Sequence, residues 1–174
     1  MAADTPILRR AVAGDAVLLS ALGERTFRDT FAADNDPADL QEYLAASFSP
    51  AKQAAELADP ASTFLIAEAA STAIGYAQLR SGDAPACVRG ARPTELVRIY
   101  VDRPWLGRGV GELLLTSAIG EARSAGFLTL WLGVWERNHR ALAFYRRHGF
   151  TVVGSHIFQL GSDPQTDLLM ERAL

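Results

Sequence analysis

An α/β fold built on one mixed sheet is the architecture this sequence predicts, and three observations predict it. The first half carries an antiparallel hairpin pattern, at 63–68 and 73–80. The second half runs strand, helix, strand over 95–101, 110–122 and 128–134. That order calls for a right-handed crossover and so for a parallel pair at the middle of the sheet. Two more strand-like runs, 150–158 and 166–172, close the chain. The 174 residues are expected to form a single domain, 1–174, large enough for a substantial core.

Taken in order, residues 7–10 read as a short first strand. Ala16, Leu18, Leu19, Leu22, Thr26 and Phe27 then recur at helical spacing, with Asp15 near the start. From 29 to 60, short helical patterns alternate with the turn signals Asn35, Asp36, Pro37, Ser49, Pro50, Asp59 and Pro60. The hairpin follows, joined by a short polar turn, and 81–93 reads as a loop. In the strand 95–101 the β-branched Val97, Ile99 and Val101 are expected on one face. Val110, Leu113, Leu114, Ser117, Ala118, Glu121 and Ala122 have 3.6-residue spacing, and Gly126 is placed to end that helix. The run 128–134 is almost continuously apolar, as a strand buried on both faces should be. Trp131 and Trp135 should share one face and pack in the core. Asn138 is placed to cap a helix running to His148, which Gly149 terminates.

Composition excludes several classes of function. Hydrophobic residues make up 49% and charged residues 21%, ordinary values for a soluble globular protein. A net charge of −3 gives no basic footprint for nucleic acid. Cys87 is the only cysteine, which leaves no internal disulfide and no cysteine-based zinc site. The opening MAADTPILRR has no apolar core of a signal peptide, and no apolar run reaches membrane-spanning length. A cytoplasmic protein is the expectation. No grouping of His, Asp and Glu indicates a metal, and no Ser/His/Asp constellation is readable.

The turn Leu106-Gly107-Arg108-Gly109-Val110-Gly111 lies between a strand and an amphipathic helix. Glycines let the backbone approach a ligand closely and adopt positive φ. The unpaired N–H groups of the helix's first turn point the same way, and the helix dipole adds partial positive charge. Together they suit a pyrophosphate, with Arg108 as an added charge-assisted donor. A tight connection with no ligand is the alternative reading of the turn alone. It is not a P-loop, since no Lys follows Gly111, and its glycine spacing departs from the dinucleotide fingerprint.

The order of elements and this turn resemble the GNAT acetyltransferases. Their pyrophosphate loop has Gln or Arg, two variable residues, Gly, one variable residue, then Gly or Ala. Gly109 and Gly111 match the small positions, while Leu106 stands where the polar residue is usual. The segments RIYVDRPWLGRGVGELLL and NHRALAFYRRHGF (138–150) carry further likeness. TFRDTF, ELVRIYVDR, LWLGVWERN and QTDLLM are similar to bacterial polyamine (spermidine) N-acetyltransferases. The resemblance implies acetyl-CoA as cosubstrate. It places Ile99, Tyr100 and Val101 along the pantetheine arm, Gly107 to Glu112 (with Arg108 and Val110) at the pyrophosphate, and Asn138 beside the arm or simply as a helix cap. Tyr145 falls at the general-acid position.

Acetyl transfer to an amine needs the free base. An alkyl ammonium has a pKa of about 10.4, so near neutral pH the protonation gap is worth about 4 kcal/mol. A carboxylate acting directly or through water would help close it, and Glu95, at the start of the strand leading to the cofactor, is the preferred base. A solvated strand-end carboxylate is the plain alternative. The leaving thiolate, of pKa about 8.5, takes its proton from Tyr145. His139, His148 and His156 read as helix or strand residues. Asp29, Asp34, Asp36, Asp39 and Glu42 lie in the segment that covers the acceptor groove in the resembled family, and would hold a second amine or form a solvated surface. The expected activity is acetylation of a primary amine, a small polyamine-like molecule favoured. The rivals are a protein N-terminal or lysine acetyltransferase and a non-catalytic acyl-CoA-binding module. Homodimerisation is left open.

Overall fold

The structure is a computed structural model that describes residues 5–174. It contains a seven-stranded sheet with helices on both faces. The strands are β1 Ile7–Arg10, β2 Ser62–Ala69, β3 Thr72–Ser81, β4 Pro93–Val101, β5 Thr129–Trp135, β6 Thr151–Leu160 and β7 Asp163–Ala173. The helices are α1 Ala16–Phe31, α2 Pro37–Phe48, α3 Pro50–Ala58, α4 Val110–Ser124 and α5 His139–Arg147. Spatial order is β1-β2-β3-β4-β5-β7-β6, antiparallel throughout except for the central pair β4–β5. No helix among the described residues is long and apolar enough to cross a membrane.

Local chemistry sets the helix ends. Asp36 accepts from the N–H groups of Ala38 and Asp39, with Pro37 in the first turn of α2. Ser49 caps α3 in the same way, ahead of Pro50. Asn138 accepts from Ala141 N–H at 3.1 Å and starts α5. Gly126 and Gly149, at φ of 82° and 83°, turn the chain away after α4 and α5.

Each face of the sheet owns its own core. On one face α4 and α5 lay Val110, Leu114, Leu115, Ala118, Leu142 and Tyr145 over Leu65, Ile74, Leu96, Leu130 and Leu132. On the other, α1 to α3 cover Phe64, Ile66 and Tyr76, and an aromatic-rich cluster of Phe27, Leu40, Leu44, Phe48 and Leu160.

The feature that matters for function is where the central pairing stops. β4 and β5 match only at Pro93–Thr129, Thr94–Leu130 and Glu95–Trp131. Beyond Glu95 the strands part. A bulge in β4 contributes: Gln78 pairs with Arg98 but Leu79 with Leu96, so Val97 is an extra residue that bends the strand. The expectation that Val97 shares a face with Ile99 and Val101 is therefore corrected. Leu96 takes that place in the α4-side core, and the bulge puts it in phase with Ile99 and Val101. One of the two tryptophans also departs from expectation. Trp131 is buried, but Trp135 lies on the wall of the opened cleft, edge to face with Phe31.

Gly23 brings α1 against α2: a Cβ there would lie 2.5 Å from Phe48 Cδ1 and 2.9 Å from the Tyr76 hydroxyl. Neither ring is free to move, because both sit in packed clusters. Gly23→Ala is expected to cost about 1–3 kcal/mol by overpacking, read as a lower midpoint in urea unfolding.

Candidate active site

The parting of β4 and β5 opens a cavity of about 680 Å³ that runs from one face of the sheet to the other. Pairing geometry decides which backbone groups look into it. In an antiparallel ladder, opposed residues alternate between bonded and non-bonded pairs. Asp102 N–H donates to Ile74 O, so the bonded positions of β4 continue at Tyr100 and Arg98, facing β3. The N–H and C=O of Ile99 and Val101 point instead into the cleft. Likewise Glu136 N–H donates to Thr166 O, which commits Val134 and Leu132 to β7 and turns the backbone of Gly133 and Trp135 to the cleft. Of the three residues expected along a pantetheine arm, Ile99 and Val101 thus offer free backbone groups. Tyr100 does not, because its backbone is paired with Tyr76; its ring lies on the α1 side among Phe27, Phe48 and Tyr76.

At the α4 end, Gly107 and Gly109 have φ of 76° and 83°, left-handed values that a side chain would strain. Gly109 is the N-cap, and the first intrahelical bond runs from Leu113 N–H to Gly109 O. The N–H groups of Val110, Gly111 and Glu112 therefore have no acceptor within the helix. Gly107, Gly109, Gly111, Glu112 and Asn138 line the cavity; Arg108 and Val110 do not. The Arg108 guanidinium lies 5.4 Å from the Trp105 ring centroid, held along the loop, and the Val110 side chain is sunk in the core. Arg140 and Arg147 of α5 stand on the wall instead. Nothing local in the sequence showed which arginines of this helix face the cleft.

Tyr145 borders the cavity from the α5 side, packed on Phe144 and Phe150. Burial raises its hydroxyl well above the ordinary phenol range. Glu95 sits at the vertex, where pairing with β5 ends, and its carboxylate meets Arg80 at 2.8 Å.

The opposite mouth is aromatic. Phe27, Phe31, Tyr43, Trp135 and Phe158 line it, with His156, Gln165 and Asp167 from the β6–β7 hairpin. Here the acidic stretch is corrected. Asp36 caps α2, and Asp39 accepts from the Ser162 backbone N–H and hydroxyl at 2.7 and 3.0 Å. None of Asp29, Asp34, Asp36, Asp39 and Glu42 borders the cavity. Asp36 and Asp39 serve capping and loop-tying, Asp29, Asp34 and Glu42 form the solvated surface that was the alternative, and Asp167 is a carboxylate that does reach this mouth.

The chain matches the model of the "Acetyltransferase (GNAT) family" over residues 25–150. It belongs to that family. An N-acetyltransferase of Lactobacillus delbrueckii subsp. lactis, described as uncharacterised, is 36% identical over 88% of this chain and 89% of its own. One of Mycobacterium tuberculosis H37Rv, likewise described, is 32% identical over 92% and 98%. Among solved structures, the PaiA N-acetyltransferase from Thermoplasma acidophilum, in complex with coenzyme A, superposes with a TM-score of 0.82 at 24% identity, covering 98% of this chain and 99% of that one. The GNAT chain described here is accordingly an acetyl-CoA-dependent N-acetyltransferase.

Arg98 forms the floor of the aromatic mouth. Its side chain is 9% exposed, paired with Glu56 at 2.7 Å and Gln78 at 3.1 Å, and stacked over Phe48. Removing one partner of a buried ion pair leaves a charge uncompensated. Glu56→Gln is expected to cost about 3–5 kcal/mol in chemical denaturation, far more than removal of the exposed partner in Arg28–Glu24.

Proposed function

We propose that the enzyme acetylates a small primary amine, a compact aliphatic or polyamine-like molecule, at the vertex between β4 and β5. One observation carries the reading: the far side of the acceptor mouth is tied shut. Asp39 grips Ser162, Gln165 Nε2 donates to Asn35, and Tyr43 packs on Phe158. These contacts join α2 and the turn before it to the β6–β7 hairpin, across the path an extended peptide would need. Aromatic walls suit an alkylammonium, since a cation over a ring face gains about 0.5–2 kcal/mol.

In this reading acetyl-CoA lies with its pyrophosphate against the N–H groups at the start of α4 and its arm against Ile99 and Val101. The amine enters from the aromatic mouth and attacks the thioester carbonyl, and the C–S bond breaks. Tyr145 donates a hydrogen bond and then a proton to the departing sulfur. Its burial keeps the hydroxyl protonated at working pH and makes prolonged ionisation costly, so the tyrosine must be reprotonated each turnover. Glu95, the base expected from the sequence, has one oxygen engaged by Arg80 and in this reading orients the incoming amine at the vertex. Leu106, half-exposed at the loop, removes a polar side chain but leaves every backbone donor in place.

A panel of amines and peptide N-termini assayed for CoA thiol release tests the acceptor class. Small amines should dominate, and strong turnover of peptide amines instead would overturn the reading. Saturating acetyl-CoA should raise the unfolding temperature, a hundredfold excess over Kd being worth about 2.7 kcal/mol. Gly109→Asp should abolish that shift by placing strain and negative charge at the anion cradle. Tyr145→Phe should leave the shift intact while lowering kcat by about 10²–10⁴-fold; full turnover would remove Tyr145 from proton transfer.

A further inference from the structure

The acceptor mouth holds a titratable pair with no part in the mechanism so far. His156 of β6 and Asp167 of β7 are direct cross-strand partners, and Nε2 lies 3.6 Å from Oδ2. Both line the cavity. The Asp167 side chain is only 14% exposed, and among the described residues the imidazole is the sole basic group within ion-pair distance of it. The His156 side chain is 45% exposed, so its second nitrogen, Nδ1, is left to meet solvent or substrate.

Gly133 is what lets this pair reach the reaction centre. A Cβ on Gly133 would lie 3.4 Å from both Asp167 Oδ2 and His156 Nε2. Gly133 also lies two residues beyond Trp131, the last position of β5 that pairs with β4. The pair therefore borders the throat where the strands part, separated from it only by a residue without a side chain. It shares a sheet face with Trp135 and the α1 aromatics, opposite the core that holds Tyr145. Proton acceptor and proton donor would then stand on opposite sides of the thioester, one toward the attacking nitrogen and the other toward the departing sulfur.

We propose that His156 is the proton acceptor for the attacking amine, with Asp167 positioning its ring and balancing the imidazolium. His156 takes a proton from R–NH3⁺ at Nδ1 while Nε2–H faces Asp167. The freed nitrogen lone pair forms the C–N bond, the C–S bond breaks, and the thiolate takes the Tyr145 proton; the second N–H proton, shed as the amide forms, passes through water to restore the Tyr145 hydroxyl. The imidazolium then returns its proton to water. Burial pushes the Asp167 carboxyl up, and the nearby positive imidazole pulls it down. The uncompensated carboxylate thus gains most when the ring is charged. The other groups turned toward the pair are the Tyr43 hydroxyl from α2, which senses Asp167, and Arg98 of β4 beyond it.

The proposal rests on the acetyl-transfer reading of the cleft but not on which amine is used, so it is tested with whichever acceptor the panel selects. His156→Gln, Asp167→Asn and Glu95→Gln are compared as kcat/KM against pH, with the acetyl-CoA thermal shift as a check on folding and donor binding. His156→Gln is expected to retain that shift, lose about 100-fold or more in kcat/KM at neutral pH, and recover as pH rises and free amine accumulates. The part of the ascending limb that marks the imidazole should vanish, leaving only the rise that follows free amine. Asp167→Asn should lose less and move the limb toward acid, because the imidazolium lacks its counter-charge. A His156→Gln enzyme with a wild-type profile overturns the proposal. So does a loss confined to KM with the limb unmoved, which makes His156 a substrate contact only, or a limb that vanishes in Glu95→Gln instead.

Discussion

Everything functional in this molecule depends on a parallel strand pair that stops early. β4 and β5 share three register positions and then separate. Sheet edges are normally liabilities because they expose unpaired N–H and C=O groups. Here two such edges face one another in the middle of a seven-stranded sheet, held apart by what flanks them. β3 and β7 fix the outer edges of β4 and β5 along their whole lengths. The bulge at Val97 bends β4, and the cores above and below are packed separately, so neither strand can move to close the gap. The result is a slot lined by backbone groups at Ile99, Val101, Gly133 and Trp135.

That slot joins two chemically different rooms. On the α4–α5 side lie a helix N-terminus with unpaired N–H groups, two arginines and a buried tyrosine. On the α1–α2 side lie aromatic rings, a deep arginine tied to Glu56, and the His156–Asp167 pair. A phosphate-bearing donor and an ammonium acceptor carry opposite charges and call for pockets of opposite character. Placing them on opposite faces lets each be recognised by its own chemistry while their reactive ends meet through the sheet.

What the sequence showed, and what it hid, follows from the range of the interactions involved. Gly126, Asn138 and Gly149 were legible because caps and helix stops are decided within four residues. The glycine turn into α4 was legible because glycines at 107, 109 and 111 precede an amphipathic pattern. The Val97 bulge was not, since it exists only in register with β3. Nor was the burial of Arg98, which depends on Glu56, 42 positions earlier. The acidic run misled because local charge does not say what a carboxylate faces: Asp39 looks to Ser162, 123 positions on. His156 and Asp167 became a pair at the throat only once β5 supplied the empty space at Gly133.

The tie between α2 and the β6–β7 turn has a consequence for how such an enzyme can change. Gly161 has φ of 57°, and a Cβ there would run into Asp39. The turn is thus a clasp whose fit requires a residue with no side chain. Any bulk at 161, or a lengthened turn, would unfasten the acceptor room at its outer wall. The donor cradle, on the other face of the sheet, would remain untouched. On the proposed reading, acceptor range is set at the periphery of the fold, by such fastenings, and can drift without touching the cradle at the start of α4.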